Sequence, residues 1–199
     1  MDTAKHLLPL TVAIIFTLQA PVSDAPRTTV DPAASLHTMT TLSVEQNTMI
    51  QHSLDLYEEA GLRLPGIDFV GYDDTSMCND RDGLAVRSER RTEIRLCTRE
   101  TGLWQKRIVL HEMAHAWDHH MLDEPGREAL TKIRTMKGWR DGEWRERGAE
   151  QAAEIITWGV IDQPIRIIHI NENSCQELHD GYVALTGEEP PHETTDLCD

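Results

Sequence analysis

The stretch LWQKRIVLHEMAHAWDHHML, from Leu103 to Leu122, decides the fold of this chain. Its apolar residues recur at helical spacing, so we predict a single helix over the stretch. Within it, His111 and His115 stand four residues apart and therefore project from one side of the helix, about one turn apart. The opposite side is apolar, which predicts that the helix is fixed in a core. That side carries Val109, Leu110, Met113 and Trp117.

Glu112 follows the first of these histidines and completes the pattern His-Glu-x-x-His. Two imidazoles on one helical face can bind one metal ion, and a catalytic zinc site has about three protein ligands and one open position. Zinc lowers the pKa of a bound water to about 7, and Glu112 is placed to take the proton of that water. We therefore predict a zinc site with His111 and His115 as ligands and Glu112 as general base. The alternative is a pair of surface histidines on an ordinary amphipathic helix.

Two further histidines, His119 and His120, follow on the same helix. His120 lies about 180° round the helix from His111, so it cannot reach the same metal ion. His119 could contact a substrate, but we favour a solvated side chain for it. A longer zinc pattern, H-E-x-x-H-x-x-G-x-x-H, is excluded because Asp118 and Met121 stand where that pattern needs glycine and histidine.

A third ligand is expected from the segment Glu150-Gln-Ala-Ala-Glu154, which opens a predicted helix that runs to Val160. Its two glutamates share one helical face, and the small residues around them permit close approach of another helix. We predict that Glu150 binds the metal. Glu154 would accept a hydrogen bond from His111 or His115 and fix its tautomer. The alternative is a solvated acidic face.

Together the two motifs, His111-Glu112-x-x-His115 and Glu150-x-x-x-Glu154, resemble those of the gluzincins, the thermolysin-like clan of zinc peptidases. The chain looks most like compact minimal gluzincins and small secreted zincin peptidases of actinobacteria, over about residues 65 to 160. It differs from thermolysin in a longer gap between the second histidine and the third ligand, in a glutamate at 154 where thermolysin has aspartate, and in lacking an obvious larger C-terminal lobe.

This resemblance implies an α+β, zincin-like domain in which a small β-sheet packs on the metal helix and a second helix carries the third ligand. It implies hydrolysis of peptide bonds in a peptide or protein substrate. The edge strand of such a sheet binds an extended substrate by strand addition, and we assign that role to residues 92–97. A secreted zincin-like module that binds zinc without catalytic turnover is the alternative function.

Many gluzincins also use a downstream His, Tyr or Arg to stabilise the oxyanion of the reaction. Tyr182, His179 and Arg166 are the candidates in this chain. The sequence does not separate these three, and ordinary packing in the core or on the surface is the alternative for each.

The five tryptophans divide into two groups. Trp104, Trp117 and Trp158 fall in predicted helices and are expected in the core. Trp139 and Trp144 bracket a loop before the third ligand, where they would pack the loop down or line the rim of a substrate site.

Composition and the N-terminus bear on location and partners. The formal net charge of −15 argues against nucleic acid as a partner, because phosphate binding needs a basic face. Residues 7–18 form an apolar run that is too short to span a bilayer, so we interpret residues 1–25 as a signal peptide, with an N-terminal anchor as the alternative. Residues 26–41 are then a flexible linker, 42–187 the domain and 188–199 a C-terminal tail. We expect a secreted monomer.

Four cysteines, none in a C-x-x-C pair, argue against a thiolate zinc knuckle. Sequence proximity favours the disulfides Cys78–Cys97 and Cys175–Cys198 among the three possible pairings. Each would close a loop of about 20 residues, a feature expected of a small domain in an oxidising compartment.

Other elements follow from capping and alternation. Ser43 and Gln46 form a capping box for a helix that runs to about Glu59. Strands are predicted at 67–72 and 92–97, and helices at 125–136 and 175–185.

Overall fold

The computed structural model describes residues 37–164, 170, 174–192 and 198. The predicted signal peptide, most of the predicted linker and Arg166 lie outside these residues. Among the described residues, no helix is long and apolar enough to cross a bilayer.

The described residues form an α+β fold with five α-helices and a four-stranded mixed sheet, which confirms the predicted fold class at this level. The helices are α1 (Val44–Glu59), α2 (Leu103–His120), α3 (Glu124–Ile133), α4 (Gly148–Val160) and α5 (Cys175–Thr186). The strands are β1 (Thr38–Thr40), β2 (Ile67–Gly71), β3 (Gly83–Arg87) and β4 (Thr92–Leu96).

The strand order is β1-β2-β4-β3, with β1, β2 and β4 parallel and β3 antiparallel to β4. The prediction that residues 92–97 form the edge strand is therefore wrong, because β4 lies between β2 and β3. The edge beside α2 is β3, which the sequence analysis did not predict as a strand. Close approach of β3 to α2 requires Gly83, since a Cβ there would meet Ile108 Cγ2 at 2.6 Å.

Strand β1 occupies residues that the sequence analysis assigned to the flexible linker. It pairs in parallel with β2, from Thr38 opposite Asp68 to Thr40 opposite Val70. These backbone hydrogen bonds give the short segment an ordered edge position that its composition does not reveal.

Helices α2 and α4 cross the centre of the domain and are largely buried. Every residue of α4 except Glu150 is buried. A buried hydrogen bond from Tyr57 Oη to the carbonyl of Leu110, at 2.9 Å, ties α1 to α2. The position of α2 is thus fixed by its apolar side, as predicted, which leaves the histidine side free to form a site.

The helix ends follow the capping signals closely. The predicted capping box of Ser43 and Gln46 is present at the start of α1. Helix α5 starts after Ser174 and ends at Gly187, whose φ of 73° favours glycine. Helix α3 ends at Ile133, earlier than predicted, because Arg134 is extended and its Nε donates to Gln151 Oε1 at 2.8 Å.

Both predicted disulfides, Cys78–Cys97 and Cys175–Cys198, are present. The second joins the start of α5 to the predicted C-terminal tail. Disulfides of this kind are compatible with an extracytoplasmic location.

Candidate metal centre

Three side chains converge between α2 and α4 with their ligand atoms within 4.8 Å of one another: His111, His115 and Glu150. Glu150 Oε2 lies 3.4 Å from Nε2 of His111 and 3.2 Å from Nε2 of His115. Tetrahedral ligands at bond lengths of about 2.0–2.2 Å are about 3.3–3.6 Å apart. The spacing therefore fits three ligands of one ion, and this group could hold a metal.

The crossing of the two helices produces this arrangement. Ala149, Ala152 and Ala153 on α4 are buried, and their small side chains allow the helices to approach closely. Glu150 is the one residue of α4 that is not buried, and it faces the two histidines. A solvated acidic face, the alternative reading of this segment, does not describe a helix that is buried on nearly all sides.

Glu154 lies one turn further along α4 and is only 1% exposed. Its Oε1 is 3.1 Å from Nδ1 of His111, the ring nitrogen that faces away from Glu150. Its carboxylate also pairs with the buried guanidinium of Arg107. Of the two histidines that the sequence left open as its partner, Glu154 contacts His111. The ion pair between Arg107 and Glu154 was not predicted, although helical spacing places Arg107 on the same side of α2 as the histidines.

These contacts shift the protonation of the cluster. Burial alone would lower the pKa of His111, but the carboxylates of Glu150 and Glu154 outweigh it and raise this pKa to about 10. Burial would raise the pKa of each glutamate, yet His111 and its neighbours hold both low, Glu154 at about 2. Without a metal, His111 is therefore a buried imidazolium between two carboxylates, and a metal ion would take the place of a proton.

The side chain of Glu112 extends from α2 to the edge strand β3. Its Oε2 accepts a hydrogen bond from the backbone N–H of Ala85 at 2.7 Å. Because this N–H belongs to β3, the carboxylate after the first histidine is held at the sheet edge, facing the same cavity as the metal-binding group.

The cavity has a volume of about 580 Å³. Its walls are β3, the histidine side of α2, the glutamates of α4 and two tryptophans. Trp144 stacks on His111, with ring centroids 6.0 Å apart and planes 19° from parallel. Trp104 lies at the cavity with 47% exposure, so its prediction as a core residue is wrong. It stands in the first turn of α2, where its ring covers the Arg107 guanidinium at 5.0 Å.

The other tryptophans are structural. Trp117 and Trp158 are buried, as predicted. Trp139 donates from Nε1 to Asp118 Oδ1 at 3.1 Å and packs against Gly148, where a Cβ would come within 2.6 Å of its ring. Trp139 thus attaches the loop before α4 to Asp118 of α2. The same loop carries Trp144, which stacks on His111 at the site.

Tyr182 and His179, the two described candidates for stabilising an oxyanion, lie outside this cavity. Tyr182 is fully buried, burial raises its pKa, and its ring packs on Gly159 so closely that a Cβ there would lie 2.1 Å away. His179 is at the surface, where its Nε2 lies 2.6 Å from Glu189. In this conformation neither can contact a substrate bound at the metal-binding group.

The two remaining histidines of α2, His119 and His120, lie away from the metal-binding group, as helical spacing predicts for His120. The helix continues to His120, whose Nε2 is 3.2 Å from Thr92 Oγ1 of the sheet. His119 is partly exposed, and burial and the nearby Arg87 lower its pKa. The structure gathers neither of them into the metal-binding group.

Arg87 is a cavity residue that the sequence analysis missed. It ends β3 and its Nη2 lies 3.3 Å from Nδ1 of His115. A single arginine in an unpredicted strand gives no sequence signal for this position.

Comparison of the chain with models of protein families, with curated proteins and with solved structures finds no match. The resemblance to gluzincins therefore rests on the motif residues alone.

Proposed function

We propose that this protein is a zinc-dependent peptidase that hydrolyses peptide bonds in an extended substrate. The observation that carries the proposal is the spacing of His111, His115 and Glu150 as three ligands of one ion, with Glu112 facing the same cavity. Two histidines and a glutamate are a ligand set of catalytic zinc, which keeps a fourth position open.

The chemistry of the donor set favours zinc over the hard cations. Calcium and magnesium prefer oxygen ligands throughout, whereas imidazole suits zinc and other first-row transition metals. The open cavity beside the ligands supports a catalytic site over a closed structural one. The contact of Glu154 with His111 Nδ1 supports the nitrogen assignment, because it directs Nε2 toward the ion.

A zinc ion held by His111, His115 and Glu150 would supply Lewis-acid chemistry, lowering the pKa of a water molecule and polarising the substrate carbonyl. Glu112 accepts the proton of that water and later delivers it to the leaving amine. The Ala85 hydrogen bond keeps the Glu112 carboxylate turned toward the cavity. Glu154 and Arg107 hold the ring of His111 in one orientation.

The outer edge of β3, with which no other strand of the described residues pairs, supports an extended peptide as substrate. Backbone of Gly83, Leu84 and Ala85 lines the cavity, so a substrate strand could add to β3 through backbone groups other than the Ala85 N–H, which donates to Glu112. This moves the predicted substrate-binding role from residues 92–97 to β3. Secretion is part of the proposal, and the two disulfides support it.

The test compares wild type with Glu112→Gln and His111→Ala. Wild type should carry about one zinc per chain and cleave casein in a chelator-sensitive way. Glu112→Gln should keep the zinc and the melting temperature while its activity falls about 10²- to 10⁴-fold, the usual loss for a general base. His111→Ala should lose both metal and activity.

If wild type and Glu112→Gln hold zinc and neither cleaves any member of a broad peptide library, the protein is a zinc-binding module without turnover. Equal chelator-sensitive cleavage by the two proteins would show that Glu112 is not the base.

A further inference from the structure

Arg87 brings a positive charge into the cavity, and no carboxylate of the described residues forms a close ion pair with it. Within the described residues its one polar side-chain contact joins Nη2 to His115 Nδ1 at 3.3 Å, and its buried Nε has no hydrogen-bond partner. An arginine has five donors in a fixed fork and no acceptor, and buried donors left unsatisfied cost free energy. The arrangement therefore leaves most of this fork available to an anion.

The nearby carboxylates are already committed to other groups. Of the carboxylates that act on Arg87, Glu150 faces the two histidines and Glu112 accepts from the Ala85 N–H. Asp118 accepts from Trp139 Nε1 and faces Arg127. Burial lowers the pKa of the Arg87 guanidinium, and Arg140 adds to this effect as a second positive charge nearby, while Asp118, Glu150 and Glu112 oppose it.

Metal loading would release the one contact that Arg87 has. A neutral imidazole carries one N–H and one acceptor nitrogen. When Nε2 of His115 binds a metal, the proton is on Nδ1, which then cannot accept from Arg87. Two donors would face each other, so the guanidinium must turn to another acceptor in the cavity.

We propose that Arg87 is a specificity-determining residue that binds a carboxylate of the substrate close to the scissile bond. This inference deepens the proposed peptidase function and rests on it. Arginine and carboxylate match in a bidentate geometry, which makes the pair selective as well as strong.

Geometry separates this role from stabilising the oxyanion. Nε2 of His115 faces the metal position, whereas Arg87 lies on the Nδ1 side of the same ring. The imidazole ring of His115 therefore separates the guanidinium from the metal-binding nitrogen, so the two would address different groups of a substrate. Residues of an extended peptide advance by about 3.3 Å each, so Arg87 reaches a group about one or two residues from the scissile carbonyl.

Two substrate carboxylates have this chemistry, a C-terminal carboxylate and an Asp or Glu side chain. The experiment measures binding to zinc-loaded Glu112→Gln protein by calorimetry, using N-acetylated hexapeptides in matched pairs. One pair differs only in a free or amidated C-terminus. The other pairs are amidated and carry Glu or Gln at each position in turn.

A carboxylate peptide should bind about 10- to 100-fold more tightly than its amide partner, the range for a hydrogen bond to a charged group. Adding Arg87→Gln should remove this difference without lowering the affinity for the amide peptide or the zinc content. Arg87→Lys should keep part of it, since lysine is a point charge. The matched control is Arg90→Gln, an exposed arginine beyond β3, which should keep all of it.

A preference seen only in the first pair identifies the C-terminal carboxylate, and one seen only in the Glu series identifies an acidic side chain. Equal binding of acid and amide peptides, no binding of any peptide, or a preference that survives Arg87→Gln would overturn the role of Arg87. The peptidase proposal is tested apart from this by wild-type cleavage. A carboxylate preference that depends on Arg87, in a protein that cleaves nothing, would refute only the peptidase function.

Discussion

Raising the pH should strengthen zinc binding steeply, because a proton on His111 competes with the ion for Nε2. In the metal-free protein Glu150 and Glu154 raise the pKa of His111 to about 10, despite the opposing effect of burial. At pH 7 this residue is therefore protonated in nearly every metal-free molecule. Metal binding must displace that proton into solution.

The size of the effect follows from the gap between the pH and this pKa. At pH 7 the gap is about three units, so the proton weakens the apparent zinc affinity by about 10³-fold, or about 4 kcal/mol. Between pH 6 and pH 9 the apparent affinity should rise about tenfold per unit. About one proton should be released by His111 for each ion bound.

The stability of the metal-free fold changes with pH in the opposite direction. A raised folded-state pKa stabilises the fold fully below the unfolded pKa of 6.5, and that contribution is lost as the pH rises toward 10. Metal-free protein should therefore lose stability over the same range in which it gains zinc affinity.

Calorimetric zinc titrations in buffers of different ionisation enthalpy measure the released protons, and competition with a chelator gives the affinity at each pH. Glu154→Gln is the informative comparison, because it removes one of the carboxylates that raise the pKa of His111. Its zinc affinity should depend less on pH, while loss of the Glu154 contact with His111 Nδ1 should weaken zinc binding by about 10- to 100-fold. If the zinc affinity of the wild type does not change between pH 6 and pH 9, His111 is not protonated between the two carboxylates in the metal-free protein.

Two further substitutions test the packing around the site. His120→Ala should leave the zinc content unchanged, because His120 contacts Thr92 of the sheet. In a thermal melt it should lower the free energy of unfolding by at most about 1.5 kcal/mol. Loss of zinc would place this residue among the ligands. Gly159→Ala should destabilise the fold by about 1–3 kcal/mol or more, because the added Cβ would lie 2.1 Å from the ring of Tyr182, and an unchanged melting temperature would contradict this packing.

The parts of the site that could be predicted from sequence are those set by short-range geometry. The shared face of His111 and His115 follows from helical spacing alone. The helix carrying Glu150 was evident from its alanines and apolar residues, and the ends of α5 from Ser174 and Gly187. Both disulfides followed from proximity along the chain.

The features that the sequence did not reveal depend on distant parts of the chain. Strand β4 alternates as an edge strand would, but β3 covers its outer side, and pairing between strands leaves little trace in either sequence. Tyr182 and His179 were chosen by residue type, and packing decides that they lie away from the cavity. Arg87 enters the site only because β3 is the edge beside α2.

Charge balance gives a reason for a metal that is independent of the motif. Burying a carboxylate is costly unless a positive group compensates it. Glu154 has Arg107, but the ion pairs of Glu150 within the described residues involve only His111 and His115. A positive charge between these histidines and Glu150, either a proton or a metal ion, would compensate this carboxylate more closely than the guanidinium of Arg87, which forms no ion pair with it among the described residues. The distances from Glu150 Oε2 to the two histidine nitrogens, 3.4 and 3.2 Å, are close to those between tetrahedral ligands of one ion, a spacing that a metal requires and a single proton does not.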